Sequence, residues 1–243
     1  MIYKLFFLIK KIVPEVILYK YRIIFNKRYY SELEKMDLKS KFTKIYENKI
    51  WGESFDKFYS GTGSHNSEIV DNYTFAVNNF LNNLEIEKEV VDLGCGDFNI
   101  GYRILEKTDK YIACDIVDNL IEYNSRKFIN SKLVFKKINI VEDDLPEGNI
   151  VFLRQVLQHL GNDDILKIIN KLYQYKYLVI TEHLPKRKFL ANKDYVSGPS
   201  IRLERNSGIV LDKKPFNLIY KNKYNICEVE ENGGIIVTSV YEF

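Results

Sequence analysis

The sequence predicts an α/β protein built on a Rossmann-like sheet of mostly parallel strands. Apolar, β-branched runs alternate with amphipathic helical patterns from about residue 67 to residue 182, and this alternation is typical of a parallel sheet with right-handed crossovers. Two segments in the tail, 225–231 and 235–241, flank Asn232-Gly233-Gly234, which favours a β-hairpin. We therefore expect a seven-stranded sheet in which the C-terminal strand is reversed.

The hydrophobic periodicity places the individual elements. Strands are expected near 89–93, 111–114, 133–138, 149–153 and 177–182, ahead of the two hairpin strands. Helices are expected over about 67–84, 100–107, 117–129 and 163–174. Asn66 or Ser67 is a candidate N-cap for the first of these helices, and Asn162 or Asp163 for the last.

Length and composition fit one α/β domain with an N-terminal helical extension. The 243 residues are 46% hydrophobic and 28% charged, which is ordinary for a globular protein. We expect the extension over residues 1–58, charged and helical in pattern from 31 onward, and the ligand-binding domain over 59–243. A formal net charge of +3 is too small to indicate a nucleic-acid partner.

The three cysteines, Cys95, Cys114 and Cys227, have neither C-x-x-C spacing nor a matching histidine cluster. A zinc site and a disulfide framework are therefore not expected. We expect a cytoplasmic protein.

The first thirty residues combine apolar side chains with seven Lys and Arg residues: Lys4, Lys10, Lys11, Lys20, Arg22, Lys27 and Arg28. No uninterrupted apolar run reaches the ~18 to 20 residues of a spanning helix, and no small-residue cleavage site follows. Pro14 would divide the segment into two short helices. Two interpretations stay open, a helix packed on the main domain or a basic amphipathic segment lying on the inner, anionic face of a membrane.

The run from Val90 to Gly101, VVDLGCGDFNIG, predicts a buried strand, a tight glycine turn and the start of a helix. Such a turn lets backbone N–H groups approach a ligand closely. Roughly 20 residues later a second apolar run ends at Asp115, where an acidic residue of a doubly wound fold binds the ribose of a nucleoside. Asp92 and Asp97 flank the turn and would repel a pyrophosphate, but they suit a cation. This favours S-adenosylmethionine over a dinucleotide.

The segment Val91 to Gly101 resembles motif I of the class I S-adenosylmethionine-dependent methyltransferases, and Asp115 matches the family's acidic residue after the second strand. Over roughly residues 45 to 220 the chain is similar to a bacterial group encoded with polysaccharide or surface-glycan genes. The matching segments are 59–64, 95–99, 115–117, 153–160 and 192–202. The resemblance implies O-methylation of a sugar hydroxyl, free or nucleotide-linked, in capsular or surface polysaccharide biosynthesis.

The ligand of such a sheet lies at the carboxyl ends of its strands, where we expect these donor contacts. Asp92 orients the glycine turn or reaches the amino-acid part of the donor, and Asp115 binds the ribose. The remaining predicted contacts are Gly94, Cys95 and Gly96 in the turn, Ile116, Asn139 and Ile140 around the adenine, and Arg154 and Gln155 near the methionine part or the acceptor.

Methyl transfer to an alcohol needs a base, most often a histidine, and the chain has three histidines. His159 follows the fourth strand and His183 ends the fifth predicted strand, so both are candidates. His65 lies in the glycine loop 60–66 as a lid residue that contacts donor or acceptor. The related group often has Asp where Gln155 stands, and Gln cannot take the proton.

The long segment 186–216 is predicted to form an acceptor loop. Lys186, Arg187, Lys188, Arg202 and Arg205 give it a positive character, and Phe189 and Tyr195 offer aromatic faces. These side chains suit the diphosphate and sugar of a nucleotide sugar, so Tyr195 and Arg202 are candidate acceptor contacts. A solvated basic loop is the alternative.

Other functions stay open at this point. An RNA or protein methyltransferase is disfavoured because the chain has no separate basic module and no Asn-Pro-Pro-Tyr-like motif after strand four. A non-catalytic binding protein with the same fold is disfavoured by the intact glycine turn. Asp97, Asp143, Asp144 and Glu182 are candidate magnesium ligands, although the reaction does not require a metal.

Overall fold

The computed structural model describes residues 31–33, 35–231 and 233–243. The chain divides into two compact units, residues 1–37 and 38–243, and the sheet belongs entirely to the second. The interpretations of residues 1–30 lie outside the described residues. Within the described ranges, no helix is both long enough and apolar enough to cross a membrane.

The observed elements follow the predicted order. The strands are β1 Glu89–Leu93, β2 Lys110–Asp115, β3 Leu133–Lys137, β4 Ile150–Arg154, β5 Tyr177–Pro185, β6 Asn222–Glu231 and β7 Gly234–Glu242. The helices of the second unit are α1 Leu38–Glu47, α2 Ser67–Asn82, α3 Asn99–Ile104, α4 Asp118–Lys127 and α5 Asn162–Leu172. A 3-10 turn over Leu105–Lys107 extends α3, and another covers Leu157–His159 after β4.

The seven strands form one sheet in the order β3-β2-β1-β4-β5-β7-β6. Strands β1 to β5 are parallel wherever they pair, while β7 runs antiparallel to both β5 and β6. The predicted fold class, with its reversed C-terminal strand, is confirmed. The hairpin inserts this reversed strand between β5 and β6, so that β6 is the edge strand.

Both faces of the sheet are covered, because alternate residues of each buried strand point to opposite sides. Val91 and Leu93 belong to a core cluster with the apolar face of α5. Val90 belongs to a second cluster with α2 and α3. With both faces buried, the carboxyl ends of the parallel strands are left as the open edge where a ligand can bind.

Several boundaries differ from the prediction. Within residues 31–58, the helical pattern is observed at 31–33 and in α1, while residues 48–58 form turns, bends and irregular backbone. Strand β5 continues to Pro185 because β7 pairs with it residue by residue, so His183 lies within the strand rather than at its end. Asn66 caps α2 as predicted, its side chain accepting a hydrogen bond from Glu68 N. The residue at the N-cap of α5 is Gly161, not Asn162 or Asp163.

Candidate active site

A cavity of about 320 Å³ opens at the carboxyl ends of β1, β2 and β4. One side is formed by the glycine turn 94–96, Asp115, Ile116 and residues 138–141. Another part of the lining is formed by Trp51, residues 158–159 and three residues of the acceptor loop. All of the predicted donor contacts and both candidate bases line this cavity.

The glycine turn brings backbone, rather than side chains, to the cavity. Gly94 and Gly96 have φ values of 79° and 56°, in the left-handed region that glycine adopts without strain. A Cβ on Gly94 would lie 2.5 Å from Val156 Cγ2, and a Cβ on Gly96 would lie 2.4 Å from Ser60 Oγ. Any larger residue at either position would therefore displace the walls of the cavity.

Asp115 braces the glycine turn with one carboxylate oxygen and the start of α4 with the other. Oδ2 accepts a hydrogen bond from Gly96 N at 3.1 Å, and Oδ1 accepts one from Val117 N at 3.0 Å. Burial raises the pKa of Asp115 to about 6, although these backbone amides oppose the shift. Each oxygen keeps a lone pair for a further donor, so the carboxylate can accept two neighbouring hydroxyl groups of a ribose.

Asp92 also lies at the carboxyl edge of the sheet, near the end of β1, and its carboxyl group is buried. Its Oδ2 accepts a hydrogen bond from the Tyr111 hydroxyl at 2.9 Å. Burial raises the pKa of Asp92 to about 7, and the Tyr111 hydrogen bond only partly offsets this. A buried carboxyl group of this kind is stabilised in its ionised form by an incoming cation.

Arg154, at the end of β4, is a partly buried cation on the cavity wall. Its guanidinium donates to Ser64 Oγ at 3.2 Å and to Gly63 O at 2.5 Å, and it lies 4.7 Å from the centre of the Tyr73 ring. The buried Nε has no hydrogen-bond partner among the described residues. Since the contacts within hydrogen-bond distance are neutral, an anion in the cavity would supply the missing charge.

The loop 60–64 is tied to the glycine turn by a reciprocal pair of hydrogen bonds. Ser60 N donates to Asp97 Oδ2 and Asp97 N donates to Ser60 Oγ, each at 2.8 Å. His65 Nε2 also lies 2.6 Å from Asp97 Oδ2. His65 is not among the residues that line the cavity, so the structure gives it a bracing position rather than the predicted lid contact.

The two candidate bases stand in different surroundings. His159 Nδ1 lies 3.2 Å from the Ser200 carbonyl, and its ring centre is 5.0 Å from that of Trp51. Burial lowers the pKa of His159 to about 4, which keeps the ring neutral at physiological pH. His183 Nε2 lies 3.0 Å from the Glu231 carbonyl, away from the Trp51 side.

The acceptor loop presents apolar residues to the cavity, namely Pro199, Ile201 and Leu203. Arg202 is only 1% exposed, and its Nη2 donates to Leu160 O at 2.6 Å. The Arg205 guanidinium lies 4.5 Å from the centre of the Tyr195 ring. Neither Tyr195 nor Arg202 lines the cavity, so the structure does not bring these two predicted acceptor contacts to the site.

Sequence reasoning missed part of the cavity wall, above all Trp51 and Gln158. Trp51 Nε1 donates to the Pro199 carbonyl at 3.1 Å, which fixes the indole beside His159. Gln158 lies next to the candidate base, and its buried Oε1 has no hydrogen-bond partner within the described ranges. Trp51 is the sole tryptophan of the chain, and this was the one feature of the sequence that could have drawn attention to it as a site residue.

Within the described ranges, the candidate magnesium ligands are not grouped into a metal site. In the part of the chain that the structure describes, no three His, Cys, Asp or Glu side chains are grouped so that they could hold a metal ion.

Comparison with known proteins relates this architecture to one class of solved structures. The N-methyltransferase NodS from Bradyrhizobium japonicum WM9, solved with S-adenosyl-L-homocysteine, has a TM-score of 0.57 at 10% identity, covering 83% of this chain and 98% of that one. The magnesium protoporphyrin IX methyltransferase of Synechocystis PCC 6803, solved with bound S-adenosylmethionine, has a TM-score of 0.53 at 13% identity, covering 86% and 98%.

An S-adenosylmethionine-dependent methyltransferase from Leishmania major has a TM-score of 0.51 at 16% identity, covering 72% of each chain. No family model and no curated protein sequence matches the chain. The structural likeness shows the fold, and the chain has the fold of the class I S-adenosylmethionine-dependent methyltransferases.

Proposed function

We propose that the protein is an S-adenosylmethionine-dependent O-methyltransferase with a small polar acceptor. The observation that carries this proposal is the position of Asp115 at the end of β2. One carboxylate oxygen braces the glycine turn through Gly96 N, the other accepts from Val117 N at the start of α4, and Asp115 lines the cavity. Among dinucleotide and methyl-donor ligands, the flanking carboxylates favour the cationic one.

The charges of the cavity fit the two ends of an amino acid. Asp92 offers a carboxylate to the α-amino group, and the partly buried guanidinium of Arg154 offers a cation to the α-carboxylate. Ile116, Asn139 and Ile140 form the wall on the far side of Asp115 and would flank the adenine. S-adenosylmethionine supplies an electrophilic methyl group activated by its sulfonium charge.

We assign the base to His159 rather than His183. His159 lies beside Trp51 and the apolar residues of the acceptor loop, where an acceptor would enter. Burial keeps this ring neutral, and a neutral imidazole is the form that takes a proton from a hydroxyl group as the oxygen forms its new bond. His183 contacts Glu231, which lies on the side of Arg154 and the methionine end.

The acceptor that we propose is a sugar hydroxyl, since the flat indole of Trp51 offers the apolar face of a sugar ring a packing surface. The sequence resemblance supports a nucleotide-linked sugar and a role in surface polysaccharide synthesis. Arg154 is the one Lys or Arg among the described cavity-lining residues, so a diphosphate would have to lie on the outer, basic face of the acceptor loop.

The test is transfer of a labelled methyl group from S-adenosylmethionine to a panel of sugars and nucleotide sugars. We expect label in the small-molecule fraction, loss of turnover in His159→Gln, and retained turnover in His183→Gln. Both variants should keep their affinity for the donor. Label that appears instead in RNA or protein, or equal turnover in both variants, would contradict the proposal.

A further inference from the structure

Residues 192–202 of the acceptor loop, which we call the clamp segment, bond to the turn that follows β4. The hydrogen bonds that join the two include Gly198 N to His159 O at 2.9 Å, Gly161 N to Ser197 Oγ at 2.8 Å, Asn162 N to Asp194 Oδ1 at 3.0 Å, and Asn162 Nδ2 to Asn192 O at 2.9 Å. The backbone that carries His159 is therefore fixed by the clamp segment almost residue by residue.

Two consecutive carbonyl groups of the clamp segment hold the two rings on this side of the cavity. The Pro199 carbonyl receives Trp51 Nε1 at 3.1 Å, and the Ser200 carbonyl lies 3.2 Å from His159 Nδ1. A carbonyl oxygen can only accept a hydrogen bond. The Ser200 contact therefore places the proton of the neutral His159 ring on Nδ1 and the lone pair on Nε2.

The other two histidines have the opposite arrangement. His183 presents Nε2 to the Glu231 carbonyl at 3.0 Å, and His65 presents Nε2 to the Asp97 carboxylate at 2.6 Å. In both rings Nε2 carries the proton that is donated. His159 is thus distinguished from both by its tautomer.

Arg202 connects the two ends of the clamp segment to the same turn. Its Nη2 donates to Leu160 O at 2.6 Å, and its Nη1 donates to the Lys193 carbonyl. The buried carboxyl group of Glu182 interacts with its charge, which reduces the cost of burying a guanidinium. Since Arg202 does not line the cavity, its effect on the site passes through the backbone that it holds.

We propose that the clamp segment is the device that sets the tautomer of His159, and that Arg202 is its positioning residue. The clamp holds the Ser200 carbonyl against Nδ1, and Nε2 is thereby kept as the proton acceptor. The catalytic meaning of this arrangement rests on the proposed role of His159 as the base. The tautomer itself is a property of the free protein and can be measured without donor or acceptor.

The first experiment is a long-range ¹H–¹⁵N NMR spectrum of the full-length protein labelled at histidine, at pH 7, with His159→Gln to assign the signals. We expect the proton of His159 on Nδ1 and that of His183 on Nε2. A His159 ring that is protonated at Nε2, or that averages between both tautomers, would overturn the proposal. Failure to find methyl transfer would leave this result untouched, so the two proposals fail separately.

The second experiment records the same spectrum for Arg202→Met and for the milder Arg202→Lys, with the exposed Arg205→Met as the matched control. We expect the His159 signals to shift toward averaged tautomers in the Arg202 variants and to stay unchanged in Arg205→Met. His183 should keep its signals in all of them. An unaltered His159 tautomer in Arg202→Met would refute the positioning role. If that variant does not fold, Arg202→Lys, which keeps the charge beside Glu182, decides the question.

Discussion

The affinity for S-adenosylhomocysteine should depend on pH through Asp92. Burial raises the pKa of this carboxyl group to about 7, so that roughly a tenth of it is ionised at pH 6 and about nine tenths at pH 8. The α-amino cation of the ligand pairs with the ionised form alone. Binding should therefore tighten about tenfold between pH 6 and pH 8.

The assay is isothermal titration calorimetry across this pH range, with 5′-methylthioadenosine as the reference ligand. That ligand keeps the nucleoside but lacks the amino-acid part, so titration of Asp115, whose pKa burial raises to about 6, affects both ligands alike. The ratio of the two affinities therefore reports the effect of Asp92 ionisation alone. In Asp92→Asn this ratio should be independent of pH. A wild-type ratio that does not change between pH 6 and pH 8 would refute the reasoning.

Three further predictions concern stability and binding. The pKa of Asp92 rises from 3.8 to about 7 on folding, so the folded protein holds the carboxyl proton more tightly than the unfolded chain. The protein therefore loses stability as the pH rises from about 4 to 7. The substitution Asp92→Asn should raise the free energy of unfolding, measured in urea, by roughly 4 kcal/mol at pH 8 and leave it nearly unchanged at pH 4. Gly94→Ala should lower the free energy of unfolding by well over the ~1 kcal/mol expected for Gly233→Ala. The two glycines have nearly the same φ, 79° and 78°, but only a Cβ on Gly94 would meet Val156. Equal losses of stability in urea denaturation would contradict this geometry. Arg154→Met should weaken the binding of S-adenosylhomocysteine about 10- to 100-fold and the binding of 5′-methylthioadenosine less than about threefold. An equal loss of affinity for both ligands would rule out a contact between Arg154 and the ligand's carboxylate.

The donor side of the site could be predicted because the residues that form it lie close together in the sequence. Strand, glycine turn and helix follow one another within Val90 to Gly101, and the parallel pairing of β1 with β2 places Asp115 beside Gly96. Alternation of apolar and amphipathic runs was sufficient to place the five parallel strands, whose predicted limits lie within three residues of the observed ones. The strand that differs most, β5, is lengthened by pairing with β7, which no local pattern shows.

The acceptor side depends on long-range contacts and could not be predicted in the same way. Trp51 reaches the cavity because its indole bonds to a carbonyl far along the chain. The positive charges of residues 186–205 are visible in the sequence, but which residues face inward is decided by the burial of Arg202 against Leu160 and Lys193. That burial turns Ile201 and Leu203 toward the cavity and leaves Tyr195 with Arg205 outside it.

The most direct test of a nucleoside-binding methyl-donor site is calorimetry of S-adenosylhomocysteine with wild type, Asp115→Ala and the control Asp118→Ala, whose half-exposed carboxylate pairs with Lys39. We predict micromolar binding to wild type and to Asp118→Ala. Asp115→Ala should lose at least about a hundredfold in affinity while its near-ultraviolet circular dichroism, which reports on the single tryptophan, stays that of a folded protein. Wild-type protein that does not bind, or a folded Asp115→Ala that binds as tightly, would contradict the assignment of this cavity.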